Sequence, residues 1–490
     1  MNVLMISSEV HPLAKSGGLG DMVSSLAAAL THRGTTVSLV LPAYRSALKN
    51  ADGVQETKID CSGRIAGRLV PARVFKTMLA EGLAVYLVGG ADYFDRPGLY
   101  GTADGDYPDN VERFAFFTRA ALDLAPKIGR WDVLHCHDWQ AALVPVFRKA
   151  QKHLYPELRD VKDVLTIHNL AYQGIFPPSS WSILDLPYFY FSISYLEFYG
   201  NINLLKGGIV FADALTTVSR RYAREITTPE YGCGLDGVIR SRRADLVGIL
   251  NGVDYREWNP SLDPHIKKNY GPEKLYGKRS CKAELQQIFG LPRRSSVPLL
   301  AMVSRLVEQK GLDIFLEVVE DILRYDLQLI VLGTGEQKYE TALTELAPKY
   351  SGRLAVRTAF DNRLAHKIEA GADLFLMPSK FEPCGLNQMY SMKYGTIPIV
   401  RATGGLDDTI EDFDPLTMRG TGIKFPVYSG PALLEAVKRA LAVYTNRRAW
   451  NQLVKNAMRA NFSWENSAAQ YARLYDKLVK NEPVLAGEND

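Results

Sequence analysis

The sequence predicts an α/β protein built as two parallel-sheet halves. Three observations predict it. Short, continuous apolar runs recur along the chain in both halves. A continuous rather than alternating apolar run is what a strand shows when helices cover both faces of a parallel sheet. The first two runs are separated by a stretch of helical periodicity. Each half also opens in the same order: strand, lysine–glycine loop, amphipathic helix. At 490 residues the chain is too long for one ordinary core.

In the first half the predicted strands are Val3–Ile6, Val37–Leu41, Ala84–Val88, Asp132–His135, Val164–Ile167 and Ala214–Val218. Between the first two, Leu19, Met22, Val23, Leu26 and Leu30 repeat at helical spacing, and Gly34 supplies a stop. Turn residues from Asn251-Gly252-Val253-Asp254 through Pro260 and Pro264 interrupt the pattern. The expected division is therefore a first domain over residues 1–253, a hinge over 254–264 and a second domain over 265–462. The second-half strands are expected at Leu299–Val303, Leu329–Leu332, Leu354–Val356, Leu374–Met377 and Ile397–Val400. A last helix is expected over 463–490, with Trp464, Ala468, Tyr471, Tyr475 and Leu478 on one face. The two openings match only loosely, so this is no solenoid repeat.

Composition narrows the class. Apolar content of 47% with 23% charged residues belongs to a globular enzyme. A net charge of +4 without a groove-reading motif argues against a nucleic-acid partner. No apolar stretch approaches the ~18 residues of a membrane span. Glu9 and His11 interrupt the N-terminus where a secretory signal would be apolar. Five scattered cysteines without a CxxC pair read as reduced thiols, and hence as a cytoplasmic protein.

The chemistry-bearing residues follow strand ends, where ligands bind in open α/β sheets. In Lys15-Ser16-Gly17-Gly18-Leu19-Gly20-Asp21 the glycines allow backbone N–H groups to approach an anion, the next helix offers its positive end, and Lys15 adds a full charge. The spacing fits neither a Walker loop nor a dinucleotide fingerprint. A plain glycine turn with a solvated lysine is the equal alternative. Arg305 and Lys310 sit at a similar point in the second half, one a bidentate phosphate donor and the other a point charge. Cationic loops at corresponding strand ends of two halves point to a diphosphate in a cleft, and so to an activated sugar.

Four further stretches carry candidates. His135-Cys136-His137-Asp138-Trp139 invites a zinc reading, but nothing completes the ligand set, and His135 reads as structural. Asp138 and His168 remain candidates. Glu382, in Lys380-Phe381-Glu382-Pro383-Cys384-Gly385-Leu386, reads either as a carboxylate for sugar hydroxyls or as a helix cap. Thr403-Gly404-Gly405-Leu406 is either a phosphate-facing turn or a tight turn only. Tyr188, Phe189, Tyr190, Phe191, Tyr195, Phe198 and Tyr199 read as core, with a glucan-contacting surface as the alternative.

Together these pieces resemble the bacterial glycogen synthases and plant starch synthases. The resemblance rests on the Lys15–Asp21 loop, His137-Asp138-Trp139, His168-Asn169-Leu170-Ala171-Tyr172-Gln173-Gly174 and Asn251-Gly252-Val253-Asp254. It continues through Ser304-Arg305-Leu306, Gln309-Lys310-Gly311, Pro378–Leu386 and Thr403–Leu406, all in family order. The resemblance implies a GT-B fold of two Rossmann-like domains facing each other across a cleft, with the final helix returning to the first domain. It implies that Lys15, Arg305 and Lys310 hold a diphosphate, helped by N–H groups of Gly18, Gly404 and Gly405. Asp21, Asp138, His168, Asn251 and Glu382 are implied to contact or orient the glucose. Phe360 is implied to lie against adenine, and Cys384, Gly385, Leu386 and Thr403 to line the donor. Tyr390 stands where many retaining relatives carry a second glutamate, which removes a carboxylate contact to ribose.

The implied reaction is transfer of glucose from ADP-glucose to the non-reducing 4-OH of an α-1,4-glucan such as glycogen or a malto-oligosaccharide, with retention and without a metal or other cofactor. No pair of carboxylates fits the double displacement of retaining glycosidases. A same-face attack, with the leaving phosphate taking the acceptor proton, is therefore expected. The rivals are another enzyme on this plan that uses UDP-glucose or a small acceptor, a sugar-nucleotide epimerase, a non-catalytic glucan binder and, more remotely, a metal hydrolase.

Overall fold

The computed structural model describes residues 1–484 apart from Ala91, Ala103 and Phe360. It divides into two compact units. One comprises Met1–Gly252 with the C-terminal stretch from Trp464, and the other is Val253–Ser463.

The first unit is organised by one large sheet. Its strands are β1 (Asn2–Ile6), β2 (Thr36–Pro42), β3 (Gln55–Glu56), β4 (Cys61–Ile65), β5 (Arg68–Ala80), β6 (Leu83–Gly89), β7 (Val133–His137), β8 (Lys162–Ile167), β9 (Ala214–Thr217) and β10 (Leu246–Gly248). In space they run β10-β9-β8-β7-β1-β2-β6-β5-β3, with β4 on β5. From β10 to β6 every pairing is parallel. The six expected strands are all present in this parallel part. Val3, Leu4, Met5 and Ile6 of β1 are fully buried, as are Val133, Leu134 and Cys136 of β7. This is the covered-on-both-faces signature that the apolar runs announced.

Two parts of this unit escaped the sequence reading. Strands β3, β4 and β5 form an antiparallel extension beyond β6. In β5 the apolar residues form no single continuous run and Pro71 interrupts them; Ser62 of β4 lies opposite that proline, one pair in from the end of the pairing. Between β6 and β7, the helix Asn110–Ile128 is buried almost all round. Its arginines Arg113 and Arg119 mask its apolar character. Both are buried because their guanidinium groups donate to backbone carbonyls of Tyr93, Leu99 and Leu184.

Helix α1 (Gly18–His32) follows β1 and ends as expected, with Gly34 in the left-handed region. The C-terminal helix Trp464–Val479 packs on α1 within the same unit. Trp464, Ala468, Tyr471, Tyr475 and Leu478 are its buried face. Tyr475 places its hydroxyl 2.8 Å from His135 Nδ1.

The second unit holds six parallel strands: β11 (Leu299–Val303), β12 (Gln328–Leu332), β13 (Leu354–Arg357), β14 (Leu374–Met377), β15 (Ile397–Arg401) and β16 (Ile423–Phe425). Their spatial order is β13-β12-β11-β14-β15-β16. Counted along the chain within the unit this is 3-2-1-4-5-6, the doubly wound order. The parallel part of the first sheet has the same core order, reversing between β1 and β7. Ligands of such sheets bind beyond the strand ends at the reversal. In this chain those points follow β1 and β7 in one unit, and β11 and β14 in the other.

The stretch 254–264, expected as a hinge, packs within the second unit. Trp258 and Asp263 in it are buried. The chain passes between units at 252–253 and at 463–464. In the first unit a side chain on Gly252 would collide with the Trp464 backbone. In the second, Val253 donates to the Phe462 carbonyl at 2.7 Å.

The most demanding electrostatic feature of the first core is the pair Arg148–Asp163. Asp163, on β8, is fully buried and Arg148 nearly so. Arg148 Nε donates to Asp163 Oδ2 at 2.9 Å, and Nη1 donates to the Leu158 carbonyl at 3.1 Å. Removing one partner of a buried pair leaves an uncompensated charge. Asp163→Ala is expected to destabilise this unit by about 3–5 kcal/mol, read from urea unfolding. An unchanged midpoint would contradict the reading.

Candidate active site

At the reversal of the first sheet, the loop after β1 is organised by a residue that the sequence reading used only to exclude a signal peptide. The carboxylate of Glu9, 3% exposed, accepts the Ser16 N–H at 2.6 Å, the Ser16 hydroxyl at 2.6 Å and the Tyr100 hydroxyl at 2.7 Å. It also receives the Gly17 N–H at 3.3 Å. Part of the glycine loop's donor capacity is therefore directed to an internal carboxylate rather than outward. Gly18 opens α1 directly after this loop. Lys15 Nζ lies 2.6 Å from the carboxylate of Asp21, in the first turn of α1, and His11 Nδ1 lies 3.8 Å from the same group.

After β7, Asp138 occupies the left-handed region at φ 55° and begins a short helix. Its Oδ1 accepts the backbone N–H of His168 at 2.7 Å, which joins the ends of β7 and β8. His168 Nε2 is 3.2 Å from His137 Nδ1. His135 has both ring nitrogens engaged, with Thr166 at 2.6 Å and Tyr475 at 2.8 Å. Both nitrogens of this fully buried ring are thus taken up inside the fold, as in a structural histidine. Among the described residues, no cluster of three or more His, Cys, Asp or Glu could hold a metal ion. Asn251, at the end of this unit, is 6% exposed and its Oδ1 is buried without a hydrogen-bond partner.

Electrostatics separate the groups of this cluster. Burial pushes His168 and His135 down to about 3, so both imidazoles are neutral at ordinary pH. Burial pushes the Asp138 carboxyl up to about 7, against the lowering effect of the His168 N–H; the Glu9 charge adds to the rise. Both His168 and Asp138 keep some exposed surface although protein surrounds them.

At the reversal of the second sheet, Arg305 and Lys310 follow β11, and Glu382 follows β14. Lys310 ends a 3-10 turn, Glu308–Lys310, and its Nζ lies 2.6 Å from Glu382 Oε2. Ser379 donates to the same oxygen at 3.0 Å. The loops are stitched by Lys380 N–H to the Gln309 carbonyl at 2.9 Å. Gly311 has φ 77°, and a Cβ on it would lie 2.1 Å from the Pro378 carbonyl oxygen, so only glycine lets these loops meet. Arg305 is exposed, with Nη2 3.5 Å from Gln309 Oε1.

Glu382 does not cap a helix. Helix α2 (Asn387–Lys393) starts five residues later, with Leu386 at its N-cap. Cys384 is buried, while Gly385 and Leu386 are half-buried. Thr403 is fully buried at the N-cap of α3 (Gly404–Thr409). The Gly405 N–H, expected to face phosphate, donates to the Glu382 carbonyl at 3.0 Å. Gly404 approaches that carbonyl so closely that a Cβ would lie 1.9 Å from its oxygen. These glycines close the turn around Glu382. Tyr390, on α2, stacks on Trp258 with centroids 3.9 Å apart and planes 1° from parallel. Phe360 lies outside the described residues.

The structure thus gathers Lys15, Gly18, Asp21, Asp138, His168 and Asn251 in one unit and Arg305, Lys310, Glu382, Cys384, Gly385, Leu386, Tyr390, Thr403, Gly404 and Gly405 in the other. The aromatic stretch 188–199 is not core: Tyr188, Phe189 and Tyr199 are 71%, 67% and 80% exposed. Density alone misled there, because the rings pack on one another, as Tyr188 does on Phe191 and Phe189 on Tyr195. Glu9 could have been found as a charge interrupting an otherwise apolar strand end.

Residues 2–241 match the starch synthase catalytic domain family, and residues 285–459 match the glycosyl transferases group 1 family. A glycogen synthase of Koribacter versatilis is 46% identical over 97% of this chain and 98% of its own length. The chain belongs to the glycogen synthase family. A second member, from Anaeromyxobacter dehalogenans, is 48% identical over 98% of this chain and all of its own. The catalytic domain of starch synthase IV from Arabidopsis thaliana, solved bound to ADP and acarbose, superposes with a TM-score of 0.90. That protein is 32% identical over 98% of this chain and 99% of its own. Sucrose-phosphate synthase from Thermosynechococcus elongatus, at 18% identity and a TM-score of 0.61, shares the fold. The family and these neighbours make the fold GT-B.

The raised Asp138 gives this synthase-family chain a pH signature. The native state holds a proton there up to about pH 7, whereas the unfolded carboxyl loses its own near 3.8. Between these values the native state binds more protons, so this group's contribution to stability falls as pH rises. Asp138→Asn carries no such ionisation. Its melting temperature relative to the unsubstituted protein is expected to climb from pH 4 to 7 and then level off. A pH-independent difference would contradict it.

Proposed function

We propose that this chain transfers glucose from ADP-glucose to the non-reducing 4-OH of an α-1,4-glucan, with retention at the anomeric carbon and release of ADP. The observation that carries the reading is the Lys310–Glu382 pair, with Arg305 on the same loop as Lys310, at the sheet reversal of a chain related over nearly its full length to glycogen synthases. The ADP in the starch synthase IV neighbour supports adenine as the donor base.

Breaking the bond between sugar and diphosphate develops negative charge on the leaving ADP. Fixed cations in a water-poor site stabilise that charge far more than they would in water. Lys15, Arg305 and Lys310 are assigned this task, with Gly18 and Gly404 offering backbone N–H groups. The Gly405 N–H joins them only if it leaves the Glu382 carbonyl. Asp21, Asp138, Asn251 and Glu382 are assigned to the glucose, and Cys384, Gly385, Leu386, Tyr390 and Thr403 to the lining of the donor site. The positive character that develops at the anomeric carbon faces the backbone carbonyl of His168. That residue's neutral imidazole adds no opposing charge. The acceptor hydroxyl attacks on the face that the phosphate leaves, and the departing phosphate oxygen takes its proton.

No metal or organic cofactor is assigned, since side-chain cations carry the charge, and unchanged turnover in a chelator checks this. A nucleic-acid partner is likewise not assigned. No helix among the described residues is long and apolar enough to cross a membrane.

Lys310→Ala is expected to lower kcat by roughly two to three orders of magnitude, the scale of losing one key charge-stabilising donor. The assay is growth of a malto-oligosaccharide on ADP-glucose. Near-normal turnover would reject the assignment. Equal or faster growth on UDP-glucose would favour the alternative donor.

A further inference from the structure

The segment that opens the second unit, expected as a hinge, is clamped to α2 and its C-cap. Tyr255 lies under Lys393, whose Nζ is 4.2 Å from the ring centroid. Trp258 stacks on Tyr390, and Asp263 accepts the Tyr394 hydroxyl at 2.6 Å. Residues 390 and 393 lie on α2 and Tyr394 is its C-cap, at spacings of three and four from 390, so three consecutive anchors of the segment meet one side of α2 and its C-terminal end.

Trp258 is the centre of this arrangement. Its indole lies between two rings, His366 at 3.8 Å and 12° on one side and Tyr390 at 3.9 Å and 1° on the other. His366 is itself fixed, because its Nδ1 is 2.8 Å from Asp263 Oδ2 and both residues are only 1% exposed. The order Asp263, His366, Trp258, Tyr390 is therefore a rigid stack that starts in the buried core and ends on a half-buried tyrosine. Trp258 and Tyr390 are 132 positions apart in sequence, so neither ring's orientation follows from local structure.

We propose that Trp258 is a positioning residue for the donor site: its indole sets the plane of the Tyr390 ring, and through it the affinity for the nucleotide. The inference rests on the donor reading above, in which Tyr390 lines the site. It assigns to the connecting segment a role in nucleotide recognition without contact with the nucleotide. A tyrosine free to rotate about χ1 and χ2 would lose rotamer entropy on binding, and one already stacked would not. The effect falls on binding and not on the chemical step, since Trp258 touches no reacting atom.

The test is ADP titration by calorimetry, with KM and kcat for ADP-glucose measured in parallel. Trp258→Leu is expected to weaken ADP binding and raise KM about 3- to 10-fold, the factor associated with loss of one aromatic pair, with kcat nearly unchanged. Trp258→Phe, which keeps a flat ring, is expected to restore most of the affinity. The double variant Trp258→Leu with Tyr390→Leu is expected to bind ADP no more weakly than Tyr390→Leu alone. ADP is also expected to change the tryptophan emission of the unsubstituted protein more than that of Trp258→Phe, a comparison that does not depend on the leucine variant folding. Unchanged ADP affinity in Trp258→Leu with only a lower melting temperature would overturn the inference. So would losses that multiply in the double variant, or identical emission changes with and without Trp258. Failure of the unsubstituted protein to bind ADP at all would instead overturn the donor reading, and this inference with it.

Discussion

The second unit depends on one ion pair. Lys310 and Glu382 come from loops 72 positions apart, and each loop exists in its shape because glycine permits a close approach. Gly311 lets the first loop pass the Pro378 carbonyl, and Gly404 and Gly405 let the third wrap the backbone of 382–384. The ammonium and the carboxylate are both mostly buried and neutralise each other. Buried charges of this kind are tolerated only when paired. A cation held this way is in position before any substrate arrives, so little reorganisation is needed when negative charge develops nearby.

The first unit also pairs a lysine with a carboxylate, here at the surface. Lys15 is held on Asp21, and the glycine loop beside it is shaped around the buried carboxylate of Glu9. Glu9 receives N–H and O–H groups of the loop and of Tyr100, and so fixes the loop from inside. The reversal point of each sheet therefore carries a lysine already compensated by a carboxylate. Such pairing lowers the cost of holding the charge, and it also means that an incoming anion must compete with the resident carboxylate.

Much of this was legible in the chain. The parallel strands were readable because burial on both faces leaves an uninterrupted apolar run, as in Val3–Ile6 and Leu299–Val303. The candidate residues could be picked out because they follow strand ends and because their motifs are those of the family. What was not legible depends on tertiary pairing. Strand β5 has no single continuous apolar run and contains Pro71, so only its partners define it. The helix Asn110–Ile128 carries arginines whose burial is made possible by distant carbonyls. The exposed aromatics of 188–199 were misread because composition reports density and not which faces are covered. Turn residues in 254–264 mark irregular backbone, and irregular backbone can still be pinned, as Trp258 and Asp263 are.

The central claim is that the β11–β14 reversal is where the nucleotide's diphosphate is held by side-chain cations. A crystal structure of this chain with ADP tests it most directly. The account predicts the diphosphate within hydrogen-bonding distance of Lys310 Nζ and the Arg305 guanidinium, beyond the ends of β11 and β14. A nucleotide bound elsewhere, with Lys310 still closed on Glu382 and Arg305 in solvent, would contradict it.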